Sequence, residues 1–194
     1  MKGTPSFRGR TALVLHRVDE GIERLMRQLE RLGLTATTQW EALDLSRARP
    51  DVVFVDADQG WNGLLPWAAG EAPMPLIALL GSEAPGRIAW AMDHGAGAII
   101  SKPITASAVY PALVMAEHMH AQRLATARRM ADLEERMRLR PLVHSAVQAI
   151  MKARAIDESA AYTLLRSCAM RRRLTIEHVA AEILTGLQPV PEAG

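Results

Sequence analysis

Short apolar runs alternate with amphipathic segments along the first part of the chain. Five runs predict buried strands, at residues 11–15, 34–40, 51–56, 75–81 and 97–103. After the first run, Ile22, Leu25 and Leu29 recur at helical spacing, and Gly33 provides a stop. A second helix is expected to end at His94, before the fifth run. This alternation predicts an α/β flavodoxin-like fold, with a doubly wound parallel five-stranded sheet covered on both faces.

A longer helical pattern begins near Val109. Its apolar and small residues follow alternating spacings of three and four, interrupted by Arg123 and Thr126. The pattern predicts one helix of about 30 residues, which we place at 108–140. A single helix buries such a stripe poorly, so the pattern favours a homodimeric coiled coil; folding back on its own domain is the alternative. The predicted dimerisation residues are Ala116, Met119, Met130, Leu133 and Met137.

Three short amphipathic helices are predicted after Pro141, which should end or kink the long helix. Asp157 and Thr175 are good N-caps for the second and third, and Gly186 stops the third. The positions expected to face inward are Val143, Ala146, Val147, Ile150, Met151, Ala161, Leu164, Leu165, Cys168, Ala169, Ile176, Val179, Ala180, Ile183 and Leu184. The chain therefore divides into residues 1–107, 108–140, 141–187 and a tail at 188–194.

Charge is distributed unevenly along an otherwise ordinary composition. Residues 121–173 hold 12 Lys/Arg against five Asp/Glu, whereas residues 1–120 hold 11 against 13. A basic segment beside an acidic body favours a polyanionic partner such as nucleic acid. A solvated helix face is the alternative explanation of the same charges.

Several classes of function and location are disfavoured by the sequence. No apolar stretch approaches the roughly 18 residues of a membrane span, and the N-terminus lacks a signal-peptide pattern, so we expect a cytoplasmic protein with no membrane partner. The single cysteine, Cys168, lies on an apolar helix face and fits a small core residue. The six histidines show no metal spacing, and no nucleophile pattern is present. We therefore expect no enzyme activity, no metal and no cofactor.

Two segments of the first domain resemble the receiver domain of response regulators. "PDVVFVD" is similar to that family's third strand, which ends at the phosphoacceptor, here Asp56. "AMDHGAGAIISKP" is similar to its fifth-strand signature, a Gly-Ala turn followed by a strand and the dipeptide Lys102-Pro103. The resemblance implies that these two side chains lie close together at the carboxyl edge of the sheet.

The other parts of a receiver phosphorylation site are not matched. The family places acidic Mg²⁺ ligands after the first strand, but His16 and Arg17 stand there. The position of its Ser or Thr falls on Gly81 or the leucine before it. Because Mg²⁺ needs oxygen ligands, we predict that Asp56 is structural, in an ion pair with Arg17 or Lys102. Phosphorylation of Asp56 is the alternative.

The last fifty residues or so resemble the ANTAR domain of transcription antitermination regulators. The match lies in "AVQAIMKARAIDESAAYTLLRSCAMRRRLTIEHVAAEIL", where small and apolar positions agree across three helices. One departure is the pair Val147-Gln148, where that family often has Lys-Gly. The resemblance implies RNA binding, and basic side chains suit RNA phosphates and unpaired bases. The candidate RNA-binding residues are Lys152, Arg154, Arg166, Arg171, Arg172 and Arg173; for the last three, a solvated helix end is the alternative.

The order of the domains resembles regulators of the AmiR and NasT type. That resemblance implies a homodimer that binds paired stem-loops in a leader RNA and prevents formation of a terminator. It also implies a degenerate receiver controlled by a ligand-sensing partner of the periplasmic-binding-protein fold, here a cytoplasmic one. Two alternatives remain open: a response regulator that phosphorylation of Asp56 activates, with RNA-binding output, and an adaptor whose helical end binds another protein.

Overall fold

The computed structural model describes residues 5–47, 49–187 and 189, which form five strands and five helices. In chain order these are β1 (Thr11–Leu15), α1 (Glu20–Arg31), β2 (Thr35–Gln39), β3 (Val52–Asp56), β4 (Leu76–Leu80), α2 (Pro85–Asp93), β5 (Ala98–Ser101), α3 (Ala106–Arg154), α4 (Glu158–Arg172) and α5 (Ile176–Leu184). The chain separates into two compact units, Met1–Leu124 and Ala125–Gly194. The tail predicted at 188–194 lies outside the described residues except for Pro189.

The first unit contains a parallel sheet with strand order β2-β1-β3-β4-β5. Every pairing in it is parallel. The register aligns Leu15 with Val55 and Asp56 with Leu79, so the carboxyl ends of the central strands share one edge. Strands β3 and β4 are buried along their whole length, as expected for a sheet covered on both faces. The predicted flavodoxin-like α/β fold is confirmed.

One face of the sheet is covered by two helices. Leu25 and Leu29 of α1 and Leu113 of α3 pack in one buried cluster with Val14 and Phe54 of the sheet. Asp19 caps α1 by accepting a hydrogen bond at 2.8 Å from the Ile22 N–H. The predicted helix therefore forms where the sequence placed it, because its apolar stripe matches the alternate residues of β1 and β3.

The opposite face is covered mainly by irregular chain. Leu43 from the β2–β3 connection and Leu64 and Leu65 from the β3–β4 connection pack on Leu13 and Val55. Neither connection contains a helix among the residues that the structure describes. Helix α2 adds Trp90, which packs against this cluster, and Ala91, which is buried in a small cluster with β4. The long irregular connections leave the Asp56 edge of the sheet bordered by loops.

Helix α3 continues through Pro141 to Arg154, so of the two alternatives predicted at this proline, an end or a kink of the long helix, the end is wrong. A proline inside a helix removes one hydrogen bond and costs about 3 kcal/mol. That cost is offset because Ala146, Val147 and Ile150, which follow the proline on α3, are buried against α4 and α5. The first of the three short helices predicted here is thus the last part of α3.

A separate hydrophobic core holds the second unit together. Its buried residues are Ala146, Val147, Ile150, Ala161, Leu165, Cys168, Ala169, Val179, Ala180 and Ile183. All ten were predicted to face inward, whereas Leu184, also predicted inward, is exposed in the last turn of α5. Asp157 and Thr175 cap α4 and α5 as predicted. No helix in the described part of the chain is long and apolar enough to span a membrane.

Candidate functional site

The carboxylate of Asp56 lies at the end of β3 and is almost completely buried, with 2% of the residue exposed. Lys102 follows β5 and reaches it from one side, with Nζ 2.9 Å from Oδ1. The same Oδ1 accepts a hydrogen bond at 3.1 Å from the backbone N–H of Asp58. Of the two ion pairs predicted for Asp56, the structure forms the one with Lys102.

The second oxygen of Asp56 faces His16 and not Arg17. His16 is 6% exposed, and its Nε2 lies 3.1 Å from Asp56 Oδ2. Arg17 is exposed, so the predicted alternative of an Asp56–Arg17 pair is wrong. The reason is local: β1 ends at Leu15, and the next residue turns inward while the one after it points to solvent. The ring of His16 also lies beside Trp40, with the two centroids 6.4 Å apart.

Asp58, which follows β3, bonds to residues that follow β4 and β5. This role is not predicted from the sequence. Its carboxylate accepts hydrogen bonds from Gly81 N–H at 2.6 Å and from the backbone and hydroxyl of Ser82. Lys102 Nζ lies 3.2 Å from the same carboxylate. Burial alone would raise the pKa of Asp58, but the bonds from Gly81, Lys102 and Ser82 outweigh burial and lower that pKa. The signal available was the pair Gly81-Ser82 at the end of the fourth predicted strand.

The six candidate RNA-binding side chains are all exposed on the second unit. Lys152 and Arg154 lie in the last turn of α3, and Arg166 lies in α4. The remaining three end α4, where Arg173 adopts a left-handed conformation with φ of 55°. The structure thus brings Arg171, Arg172 and Arg173 together at one helix terminus, where cations also complement the helix dipole.

Arg172 differs from its neighbours because it joins α4 to α5. Its guanidinium forms an ion pair with the carboxylate of Glu182. The hydrogen bond from Arg172 to Glu182 raises the pKa of the arginine above its ordinary value. This side chain is therefore engaged within the helical unit, which favours a positioning role over a direct RNA contact.

The predicted dimerisation stripe divides into a buried and an exposed part. Ala116 is fully buried in the core of the first unit, next to Gly97, so its side chain is not available for contact with a second copy of the chain. Ala116 has the spacing expected of a coiled-coil position, but its side chain packs within the first unit. Met119, Met130, Leu133 and Met137 remain exposed, by 43–74%.

An open groove of about 620 Å³ continues this stripe within the second unit. It is lined by apolar residues of α3 such as Met137 and Val147, and by Arg140 and His144. Tyr162 of α4 also lines it and is 45% exposed, although it directly follows the buried Ala161. No role is predicted for Tyr162 from the sequence; the available signals are its place in the segment that resembles the ANTAR domain and its position in the first part of a capped helix.

Comparisons with known proteins agree with both halves of this description. Residues 11–117 match the AmiR N-terminal domain, and residues 131–184 match the ANTAR domain. The chain is 28% identical over 184 residues to the aliphatic amidase regulator of Pseudomonas aeruginosa, covering 92% of this chain and 93% of that protein. It is 28% identical over 151 residues to the transcriptional regulatory protein PdtaR of Mycobacterium tuberculosis, covering 76% and 74%.

Among solved structures, a signal receiver domain of an HD domain-containing protein from Pseudomonas fluorescens is similar to part of this chain. Its sequence identity is 24% and its TM-score 0.47, covering 63% of this chain and 98% of that one. The match to the AmiR N-terminal domain extends over more than half of the residues. The chain therefore belongs to the AmiR N-terminal family and carries a C-terminal ANTAR domain.

Proposed function

We propose that this protein is an RNA-binding transcription antiterminator, which binds paired stem-loops in a leader transcript and prevents a terminator from forming. The observation that carries the proposal is the ANTAR match over a folded helical unit with exposed cations at the ends of two of its helices. The names of the two relatives, a regulator and a transcriptional regulatory protein, support a regulatory role.

The exposed cations of this unit suit the chemistry of an RNA hairpin. Arg171 and Arg173 each offer a planar guanidinium, which can donate two parallel hydrogen bonds to a phosphate. Lys152 and Arg166 add charge on α3 and α4. Loops expose unpaired bases, and such bases stack on aromatic rings, for which Tyr162 is available. Arg172 supports these contacts by holding α4 against α5.

Dimerisation would turn two weak loop contacts into one useful site. The exposed apolar side chains Met119, Met130, Leu133 and Met137 on α3 support a homodimer through this helix. With one copy of the helical unit bound to one stem-loop, binding of the second becomes intramolecular. Effective concentration then raises the overall affinity by about 10²- to 10⁴-fold without new contacts.

Control by a partner protein fits the first unit better than control by phosphate. Both oxygens of Asp56 are engaged by side chains of the same chain, Lys102 and His16. A ligand-sensing partner of the periplasmic-binding-protein fold would instead hold the regulator until a small molecule arrives. The second candidate is a response regulator that phosphorylation of Asp56 activates, and the Asp56–Lys102 pair is the observation in its favour. Incubation with a phosphodonor and Mg²⁺ separates the two, because stable phosphorylation of Asp56 would support the second.

The test of RNA binding replaces the exposed cations in the full-length protein. We expect Arg171→Gln/Arg173→Gln to weaken binding to a two-hairpin RNA and to reduce the slope of log K against log salt by about 2. The matched control is Arg27→Gln/Arg31→Gln on α1, which removes the same charge from exposed positions in the first unit. Equal effects of the two double variants would contradict a specific RNA surface at the end of α4.

A further inference from the structure

A cavity of about 530 Å³ lies at the amino-terminal edge of the sheet, opposite the edge that carries Asp56. Two of its lining residues, Arg10 and Asp51, directly precede β1 and β3, whose amino ends meet because the strands are parallel. Helix α3 lines the cavity through Glu117 and His120. The cavity belongs entirely to the first unit, and its volume falls in the range of small-molecule sites.

The apolar part of the cavity wall is stiff. Its members are Leu45, Pro50, Pro73, Met74 and Pro75. Proline fixes its own backbone φ, so the three prolines lose little freedom when a ligand binds. Such preorganisation lowers the entropic cost of binding. The wall therefore suits the apolar body of a small molecule.

The two carboxylates at the cavity are already held by the chain. Glu117 forms an ion pair with Arg10. Asp51 accepts hydrogen bonds from the backbone N–H of Thr11 at 2.7 Å and from its hydroxyl at 2.9 Å, and these bonds lower the pKa of Asp51. Neither carboxylate therefore requires a cation from a ligand.

The guanidinium of Arg49 is the positive charge that remains at the cavity. Within the described part of the chain it forms no ion pair, and its Nε donates a hydrogen bond at 3.4 Å to the carbonyl oxygen of Leu45. Both terminal nitrogens can thus donate parallel hydrogen bonds to one carboxylate. A dianion would be repelled by Asp51 and Glu117, so one guanidinium suits a single negative charge.

The imidazole of His120 adds a second polar group to the wall. Burial, followed by the nearby charge of Arg123, lowers the pKa of His120, whereas Glu117 opposes the shift. The ring is therefore uncharged at neutral pH. Its Nδ1 is buried and has no hydrogen-bond partner among the described residues, which is rare in folded proteins. A polar ligand atom beside the ring would gain a hydrogen bond there.

We infer that this cavity binds a small monoanion, a carboxylate with an apolar body, which Arg49 holds and His120 adjoins. The site lies apart from the proposed RNA surface and does not depend on it. Glu117 and His120 belong to α3, the helix that continues into the second unit. A ligand in the cavity therefore contacts directly the helix that carries the RNA-binding unit.

An NMR titration of the full-length protein, labelled with ¹⁵N-histidine, tests this inference. The probes are benzoate and hexanoate, and His120→Gln assigns the signal. We expect both to shift the His120 ring resonances saturably, while the exposed His118 on the same helix stays unchanged. Uncharged benzamide should bind about 10-fold more weakly than benzoate, because it lacks the charge-assisted bond, and dianionic phenyl phosphate should bind no more tightly. Shifts that fail to saturate with both carboxylates, or equal affinity for benzamide, would overturn the inference.

A matched pair of arginine variants tests the assigned cation. Arg49→Gln should weaken benzoate binding about 10-fold. The control is Arg47→Gln, in the same connection between β2 and β3, because Arg47 pairs with Asp44 and lies outside the cavity lining. Circular dichroism checks that both variants are folded. Equal benzoate affinities of the two variants would refute the role of Arg49.

Discussion

Replacing Lys102 by methionine tests how strongly the ion cluster holds the strand ends together. The ammonium group of Lys102 contacts both Asp56, at 2.9 Å, and Asp58, at 3.2 Å. Methionine keeps a similar apolar stem but removes the charge. The variant therefore leaves a nearly fully buried carboxylate with one fewer counter-charge.

The expected cost follows from what remains around the two carboxylates. Breaking a fully buried ion pair by removing one partner costs about 3–5 kcal/mol. Here the side chain of Lys102 is 24% exposed, Asp56 keeps His16, and Asp58 keeps its bonds from Gly81 and Ser82. We therefore expect a loss of about 2–3 kcal/mol, a large share of the 5–15 kcal/mol typical of a domain.

Urea unfolding followed by tryptophan fluorescence measures this loss in the correct part of the chain. All four tryptophans, at positions 40, 61, 67 and 90, belong to the first unit, so the signal reports that unit alone. A double-mutant cycle with Asp56→Asn isolates the pair, and we expect a coupling of about 1–3 kcal/mol. A Lys102→Met protein within 0.5 kcal/mol of wild type, or strictly additive variants, would refute the reasoning.

Three further predictions concern the core of the second unit, the contact between Gly97 and Ala116, and stability at acidic pH. Ile150→Ala removes a fully buried side chain of the second unit, and thermal unfolding followed by circular dichroism should show a loss of about 2–5 kcal/mol there, with Met170→Ala as the exposed control. Gly97→Ala would place a Cβ 2.8 Å from the Cα of Ala116, so urea unfolding should show a loss of about 1–3 kcal/mol; an unchanged midpoint would contradict this packing. The folded state lowers the pKa of Asp58, so its contribution is present above the unfolded value of about 3.9 and is lost as pH falls through the folded pKa. Asp58→Asn should therefore be less stable at neutral pH and lose less on acidification, and parallel pH profiles for the two proteins would count against that role.

The sequence pattern predicts the positions of the strands and helices better than it predicts which surfaces they pack against. Apolar alternation located the strands and α1, because a buried strand and an amphipathic helix each impose a fixed spacing. The same spacing placed Ala116 on a dimer stripe, although it is buried in its own domain. Periodicity identifies the residues that share a face but not the surface that covers them.

The site was predicted only in part, for reasons of local geometry. Lys102 beside Asp56 follows from parallel strands whose carboxyl ends meet at one edge. The choice between His16 and Arg17 depends on the turn after β1, which no spacing rule fixes. Similarly, the sequence predicts that Pro141 ends or kinks the long helix, but the helix continues because burial of the residues beyond the proline outweighs its local cost.

We propose that the C-terminal helical unit recognises paired RNA hairpins. The most direct measurement is filter retention of the full-length protein with RNA that carries two hairpins with randomised loops, compared with single-hairpin RNA and duplex DNA of equal length. We predict tighter retention of the two-hairpin RNA, a linear fall of log K with log salt, and enrichment of one loop sequence in both hairpins. Retention that does not exceed that of duplex DNA, with no enriched loop, would contradict RNA recognition by this unit.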